Sequence, residues 1–223
     1  MIITQKRNLD DLMENIKRYK SFFLVGCSEC ASLCGTGGTP ELAAMKEKLE
    51  GDGKKVTGTF LAKTGCQVLG TKVELKPYKD ALAETECILV MSCGAGTQTA
   101  VDLFKDKPVY ATNDSLFLGN MTRMQIFDER CSLCGECILD KTGGVCPVTA
   151  CPKGIMNGPC GGTNNGKCEV SSDIDCAWVK IYTRMKDTDQ LEDMKKINKP
   201  KNWAAHKKPM TLNVREKKEE GTK

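Results

Sequence analysis

Fourteen of the 223 residues are cysteine, and only one, His206, is histidine. Six cysteines lie in residues 1–126 (Cys27, Cys30, Cys34, Cys66, Cys87 and Cys93), eight lie between Cys131 and Cys176, and none follows. Zinc held by two cysteines and two histidines, mixed Cys/His iron–sulfur ligation and a Cys–His catalytic pair all need a histidine in the body of the chain. Whatever the cysteines bind, they are expected to bind with sulfur alone. Apolar residues make up 40% of the chain with cysteine counted. Without cysteine the share is thin for one packed core, so an inorganic group is expected to help hold the chain together.

No apolar stretch is long enough for a membrane-spanning helix. The N-terminal MIITQKRNLDDLMENIKRYK has neither the apolar core nor the cleavage site of a secretory signal. The expected location is cytoplasmic, where many cysteines argue for metal or redox chemistry rather than disulfides. The formal charge of +4 counts every thiol as neutral. A [4Fe-4S]2+ core with four thiolates carries −2, so two clusters would bring the chain to 0 and three to −2. With twelve aromatic residues and no basic–aromatic stripe, nucleic acid is not an expected partner.

Residues 1–126 read as a small parallel α/β domain. Leu9, Leu12, Met13 and Ile16 share a helical face. Strands are expected at 21–26, 55–61, 87–91 and 108–111. Helices are expected from Thr39, the proposed N-cap before Pro40 and Glu41, to Gly51, from Pro77 to about Ala83, and over 97–104. In that reading Cys27, Cys30, Cys34, Cys66 and Cys93 all follow strands. They converge on the carboxyl edge of the sheet, where such folds bind ligands. A cubane needs four thiolates, and spacing does not say which of the five is spare. Cys87, inside a strand, reads as a structural thiol. Gly94-Ala95-Gly96 imitates a dinucleotide loop but has Thr99 where the third glycine belongs. The alternative is that these glycines let backbone N–H groups approach cluster sulfurs.

Residues 127–176 read as a ferredoxin-like module. Cys131-x2-Cys134-x2-Cys137 is the opening of bacterial ferredoxins, here followed by Cys146-Pro147. The remaining Cys151, Cys160, Cys168 and Cys176 could hold a further cluster or a four-thiolate zinc. From Cys131 to Cys176 there are 8 glycines and only 10 larger apolar residues, too few to order the segment without metal. Residues 177–223 read as a helix, with Trp178, Ile181, Tyr182 and Met185 on one face, a weaker helix with Leu191, Met194 and Ile197, and a Lys-rich tail. Asn198–Leu212 is expected to lie extended across a partner, anchored by Trp203.

The run from Gly143 through Cys146-Pro147, Cys151-Pro152 and Pro159-Cys160-Gly-Gly162, then Cys168-Glu169 and Cys176-Ala-Trp178, resembles the C-terminal cysteine-rich domain family associated with methylenetetrahydrofolate reductase. Cys27-x2-Cys30-x3-Cys34-x-Thr-Gly-Gly38 and Cys93-Gly-Ala-Gly-x-Gln98 are similar to the same family. The resemblance implies a small iron–sulfur, sometimes zinc-containing, subunit that partners a flavin-bearing reductase in acetogenic anaerobes. The large subunit would hold FMN and the folate, and this chain would pass electrons to the flavin in the methyl branch of the Wood–Ljungdahl pathway. The donor would be ferredoxin or an associated electron-transfer subunit. At least two [4Fe-4S] clusters are expected, with a third cluster or zinc. No flavin and no catalytic residue are expected on this chain. Two other readings stay open: a zinc-stapled adaptor that docks the catalytic subunit, and a generic ferredoxin-type carrier.

Overall fold

A computed structural model describes residues 1–214, so residues 215–223 of the expected docking tail lie outside the described part. The chain divides into two compact units, Met1–Glu129 and the remainder from Arg130.

The first unit is built on a four-stranded parallel sheet. In chain order its elements are β1 (Ile2–Lys6), α1 (Leu9–Ile16), β2 (Ser21–Cys27), α2 (Cys30–Leu33), α3 (Thr39–Gly51), β3 (Lys55–Ala62), α4 (Val68–Glu74), α5 (Lys79–Ala83), β4 (Cys87–Met91), α6 (Gly94–Leu103), β5 (Val109–Ala111), β6 (Asn113–Arg123) and β7 (Ile126–Cys131). The parallel sheet has the order β3-β2-β4-β5. All seven residues of β2 and all five of β4 are buried, as expected of central strands covered on both faces.

Pleating sends alternate side chains to opposite faces. Phe22 and Leu24 join Leu12, Ile16, Leu42 and Leu49 in one core, against α1 and α3. Phe23 and Val25 join Leu75, Ala100 and Phe104 in the other, against α4 and α6. The four expected parallel strands are therefore present with flanking helices. The helix at 39–51 starts one residue earlier than expected: Gly38, not Thr39, is the N-cap, and its N–H donates to the Glu41 carboxylate at 2.9 Å. The helix expected over 97–104 begins at Gly94, because the glycines open it rather than precede it.

A second sheet was not expected. β1 pairs antiparallel with β6, and β7 lies on the other side of β6. The opening residues, read only as part of a non-secretory N-terminus, thus form a strand.

The second unit has little regular structure between Cys131 and Cys176: α7 (Pro147–Ala150) and a small hairpin of β8 (Lys167–Cys168) and β9 (Ser171–Asp175). α8 (Ala177–Asp187) follows. It buries Trp178, Ile181 and Met185, and the Trp178 indole N–H donates to Ile155 O at 2.9 Å. Tyr182, expected on that face, is 49% exposed. The weaker helix is only a 3-10 turn over Leu191–Lys195, and Ile197 is 88% exposed. Residues 198–206 lie against their own unit. Asn198 exchanges hydrogen bonds with Asn157, the Asn202 N–H donates to the Glu136 carboxylate at 2.6 Å, and a Cβ on Gly135 would sit 2.9 Å from Ala205 C. Trp203 remains 57% exposed.

Candidate metal centre

The strand order makes a switch point between β2 and β4. The chain leaves β2 for β3 on one side and leaves β4 for β5 on the other, through helices on opposite faces. The crevice at the carboxyl ends of these two strands is where open α/β sheets bind ligands. Cys27 is the last residue of β2, Cys30 the first of α2, and Cys93 the N-cap of α6. Cys66 follows β3 by four residues.

Three observations tie these thiols together. The Cys27 sulfur accepts the Gly65 N–H at 3.5 Å, and the Cys30 sulfur accepts the Ile2 N–H at 3.4 Å. The Cys66 thiol is held above the ordinary thiol range, by burial first and then by the neighbouring thiols of Cys93, Cys27 and Cys30. A Cβ on Gly65 would lie 3.4 Å from Cys27 Cβ, and one on Gly96 3.5 Å from the Gly65 backbone, so the loops of three strands are in direct contact. Cys34, at the C-cap of α2, donates its backbone N–H to Cys30 O and is not among the thiols acting on Cys66. Cys87 is fully buried, and burial pushes its thiol up to about 12, as befits an inert structural cysteine.

Gly94 and Gly96 play a different part from the one expected. The Gly94 N–H donates to the Ser115 hydroxyl at 2.8 Å, and a Cβ on Gly96 would lie 2.5 Å from Ser92 Oγ. The N–H groups that reach sulfur come instead from Gly65 and Ile2.

Sequence reasoning missed Asn113. This buried residue opens β6, and its amide donates to Thr36 O at 3.2 Å and to Ser92 O at 3.4 Å, joining the loops after β2 and β4. Thr4 and Thr36 add a hydroxyl pair at 2.6 Å. An Asn in a polar run after a short strand carries no signal of this role, since its partners are distant in sequence.

In the second unit, Cys131 accepts the Leu133 N–H at 3.3 Å, and the Cys134 thiol donates to Glu136 O at 3.8 Å. Leu133 and Gly135 take positive φ, which folds the Cys131–Cys137 loop tightly. Cys146 and Cys151 flank α7 as its N-cap and C-cap. Ser132 Oγ lies 2.9 Å from Thr149 Oγ1, which is 3.6 Å from the Cys146 sulfur, so this loop and α7 adjoin. Around the hairpin, Cys160 accepts the Gly162 N–H at 3.4 Å and the Lys153 ammonium at 3.8 Å. The Gly162 N–H, then the Lys153 charge, hold the Cys160 thiol below its usual range. Lys153 pairs with Glu169, beside Cys168, and the Cys176 N–H donates to Gly166 O at 2.8 Å. Asp175, held down to about 2 by hydrogen bonds from Lys167 and Lys180, pins the hairpin to α8 next to Cys176.

Among the described residues no group of three or more Cys, His, Asp or Glu is spaced to hold a single metal ion. Four thiolates on one zinc would have to stand about 3.8 Å apart, from Zn–S bonds of about 2.3 Å in a tetrahedron. A cubane is larger and takes its thiolates at separate corners. The sulfur-only donor set, the contact of the three loops and the N–H donors to Cys27 and Cys30 fit such a group at the switch point. Among the described residues no helix is long and apolar enough to cross a membrane.

No curated protein and no solved structure matches the chain. A family model does match part of it, including all eight cysteines of the second unit and excluding the thiol rim of the first. Residues 110–204 match the family described as methylene-tetrahydrofolate reductase C terminal.

Proposed function

We propose that the chain is the iron–sulfur electron-transfer subunit of a methylenetetrahydrofolate reductase complex. It passes electrons to the FMN of a separate catalytic subunit, which reduces 5,10-methylenetetrahydrofolate to 5-methyltetrahydrofolate. The observation that carries this reading is the placement of Cys27, Cys30, Cys66 and Cys93 on the loops and helix starts that follow β2, β3 and β4 of the parallel sheet. The family match over the Cys-rich unit supports the reductase assignment. Clusters bound by these cysteines would supply reversible one-electron storage.

The chain's own residues would do the rest. Cys27, Cys30, Cys66 and Cys93 would ligate one cluster and Cys131, Cys134, Cys137 and Cys146 another. Cys34 would be the spare thiol. The Gly65 and Ile2 N–H groups would stabilise negative charge on the sulfurs they meet and so raise the potential of that centre. Cys151, Cys160, Cys168 and Cys176 would hold zinc or a third cluster. The anionic bias at Cys160 favours metal ligation there without choosing between the two.

Paired substitutions test the ligand assignment. Cys66→Ser should lose one cluster's iron from anaerobically purified protein, and Cys34→Ser should keep it. Equal iron in both variants, or loss only from Cys34→Ser, would contradict the assignment. Mixing the reduced chain with the flavin subunit should reduce the flavin, and stoichiometric FMN on this chain alone would overturn the division of labour.

A further inference from the structure

α4 and α6 pack side by side on one face of the parallel sheet. Both start at the thiol rim: α6 directly after Cys93, and α4 two residues after the exposed Cys66. Their outer surface is unusually apolar. Leu69 is 76% exposed, Val73 59% and Val101 49%. Farther from the rim the same face opens into a groove of about 630 Å3 whose floor includes Leu75, Leu82, Leu103 and Phe104.

The charge around the groove is one-sided. Lys72, Lys76, Lys79 and Lys107 line it, against one carboxylate, Asp106. Lys107 donates to Thr85 O, so its ammonium is anchored. None of Lys72, Lys76 and Lys79 takes part in an ion pair among the described residues. On α3, on the other face of the sheet, Lys46 and Lys48 are instead matched by Glu50 and Asp52. An apolar patch ringed by unmatched cations is suited to a partner of opposite charge, since complementary charge steers encounter and fixes register while apolar burial supplies affinity. Lys72 lies on α4, six residues past Cys66.

We propose that the α4–α6 face is the docking surface for an acidic electron-carrier protein, which seats an apolar, carboxylate-flanked edge between Leu69 and the lysine-rimmed groove. The inference rests on the electron-transfer reading above and adds the place and the charge of the partner. One electron passes per encounter: the reduced carrier is oxidised, and the centre beside Cys66 is reduced.

The test uses the full chain, anaerobically purified, and an acidic ferredoxin as probe. Binding is measured separately from reduction, so that a chain without iron would overturn the electron-transfer reading while binding still decides the surface. The triple variant Lys72→Glu/Lys76→Glu/Lys79→Glu should bind ferredoxin at least tenfold more weakly at low ionic strength. Its reduction by ferredoxin should slow by a similar factor. The difference should shrink at high salt, where the screening length falls to about 3 Å at 1 M. Reduction by methyl viologen radical, a small cation, should not slow, and Lys46→Glu on α3 should leave ferredoxin binding unchanged. Unchanged ferredoxin binding by the triple variant would overturn the proposal. So would a variant that binds ferredoxin normally but loses the flavin subunit, or that only dissociates a pair of copies of this chain.

Discussion

At the residue scale the fourteen cysteines divide by environment. Cys87 pairs with Phe22 across the sheet and has no exposure, and burial outweighs the thiolate-favouring charges of Arg18 and Lys54. With its thiol at about 12, roughly one part in ten thousand is ionised at pH 8, so iodoacetamide should leave Cys87 unmodified until the protein unfolds. The same shift has a sign in stability. The unfolded thiol loses its proton near 8.5 and the folded one near 12, so this group favours the folded state fully below about pH 8.5. That contribution drains away as pH rises toward 12. Cys87→Ala should flatten the alkaline decline of unit 1 relative to the parent, measured by denaturation at pH 8 to 11. Cys87→Ser should leave metal content unchanged and cost about 1–2 kcal/mol for a buried hydroxyl. Iron loss from either variant would mean that Cys87 is a ligand.

At the scale of elements, the loops after β2 and β4 are held by Asn113. Asn113→Ala leaves Thr36 O and Ser92 O short of a donor in a buried site, a cost of about 1–3 kcal/mol. The expected result is a lower denaturation midpoint for unit 1 together with faster loss of its metal to chelator. A drop in stability with normal metal retention would show that Asn113 supports the fold but not the rim. Asn113 also marks where the sequence stopped being legible. The parallel strands were readable because β2 and β4 are continuous apolar runs, and α3 because Pro40 and Glu41 mark its start; α2 (Cys30–Leu33) and α4 (Val68–Glu74) carried no such start signal and went unread. β1, β6 and β7 were not: β6 and β7 are largely exposed, polar and irregular in alternation, and β1 has only two buried residues, Ile3 and Thr4. Strands of that kind are defined by their partners rather than by their own pattern. The placement of Cys27, Cys30, Cys66 and Cys93 after strands β2, β3 and β4 followed from strand position alone. The place of Cys34 did not follow, because it depends on α2, an unread helix of which Cys34 is the C-cap.

At the scale of the whole molecule, the C-terminal segment has a different character from the one its composition suggested. Residues 198–206 lie along the Cys131–Cys137 loop, with the Glu136 carboxylate accepting the Asn202 N–H and Gly135 lacking space for a side chain beneath Ala205. Truncation after Ile197 should therefore weaken the Cys-rich unit itself, seen as faster chelator-driven metal loss. This differs from the expectation that Asn198–Leu212 lies extended across a partner. The exposed Trp203 can still serve a partner: Trp203→Ala should leave metal loss at the parental rate and reduce affinity for the flavin subunit by about 2 kcal/mol. If truncation leaves chelator resistance unchanged, the packing of 198–206 contributes nothing to metal retention.

Sulfur-bound iron is expected in both units. Iron, acid-labile sulfide and zinc per chain in anaerobically purified protein, with EPR after reduction, test it most directly. The expected result is at least eight iron and eight sulfide per chain, from two cubanes of about four iron each, with cubane signals on reduction. Any further metal would come from the Cys151–Cys176 set, as zinc or additional iron. A colourless protein that carries zinc alone would contradict it.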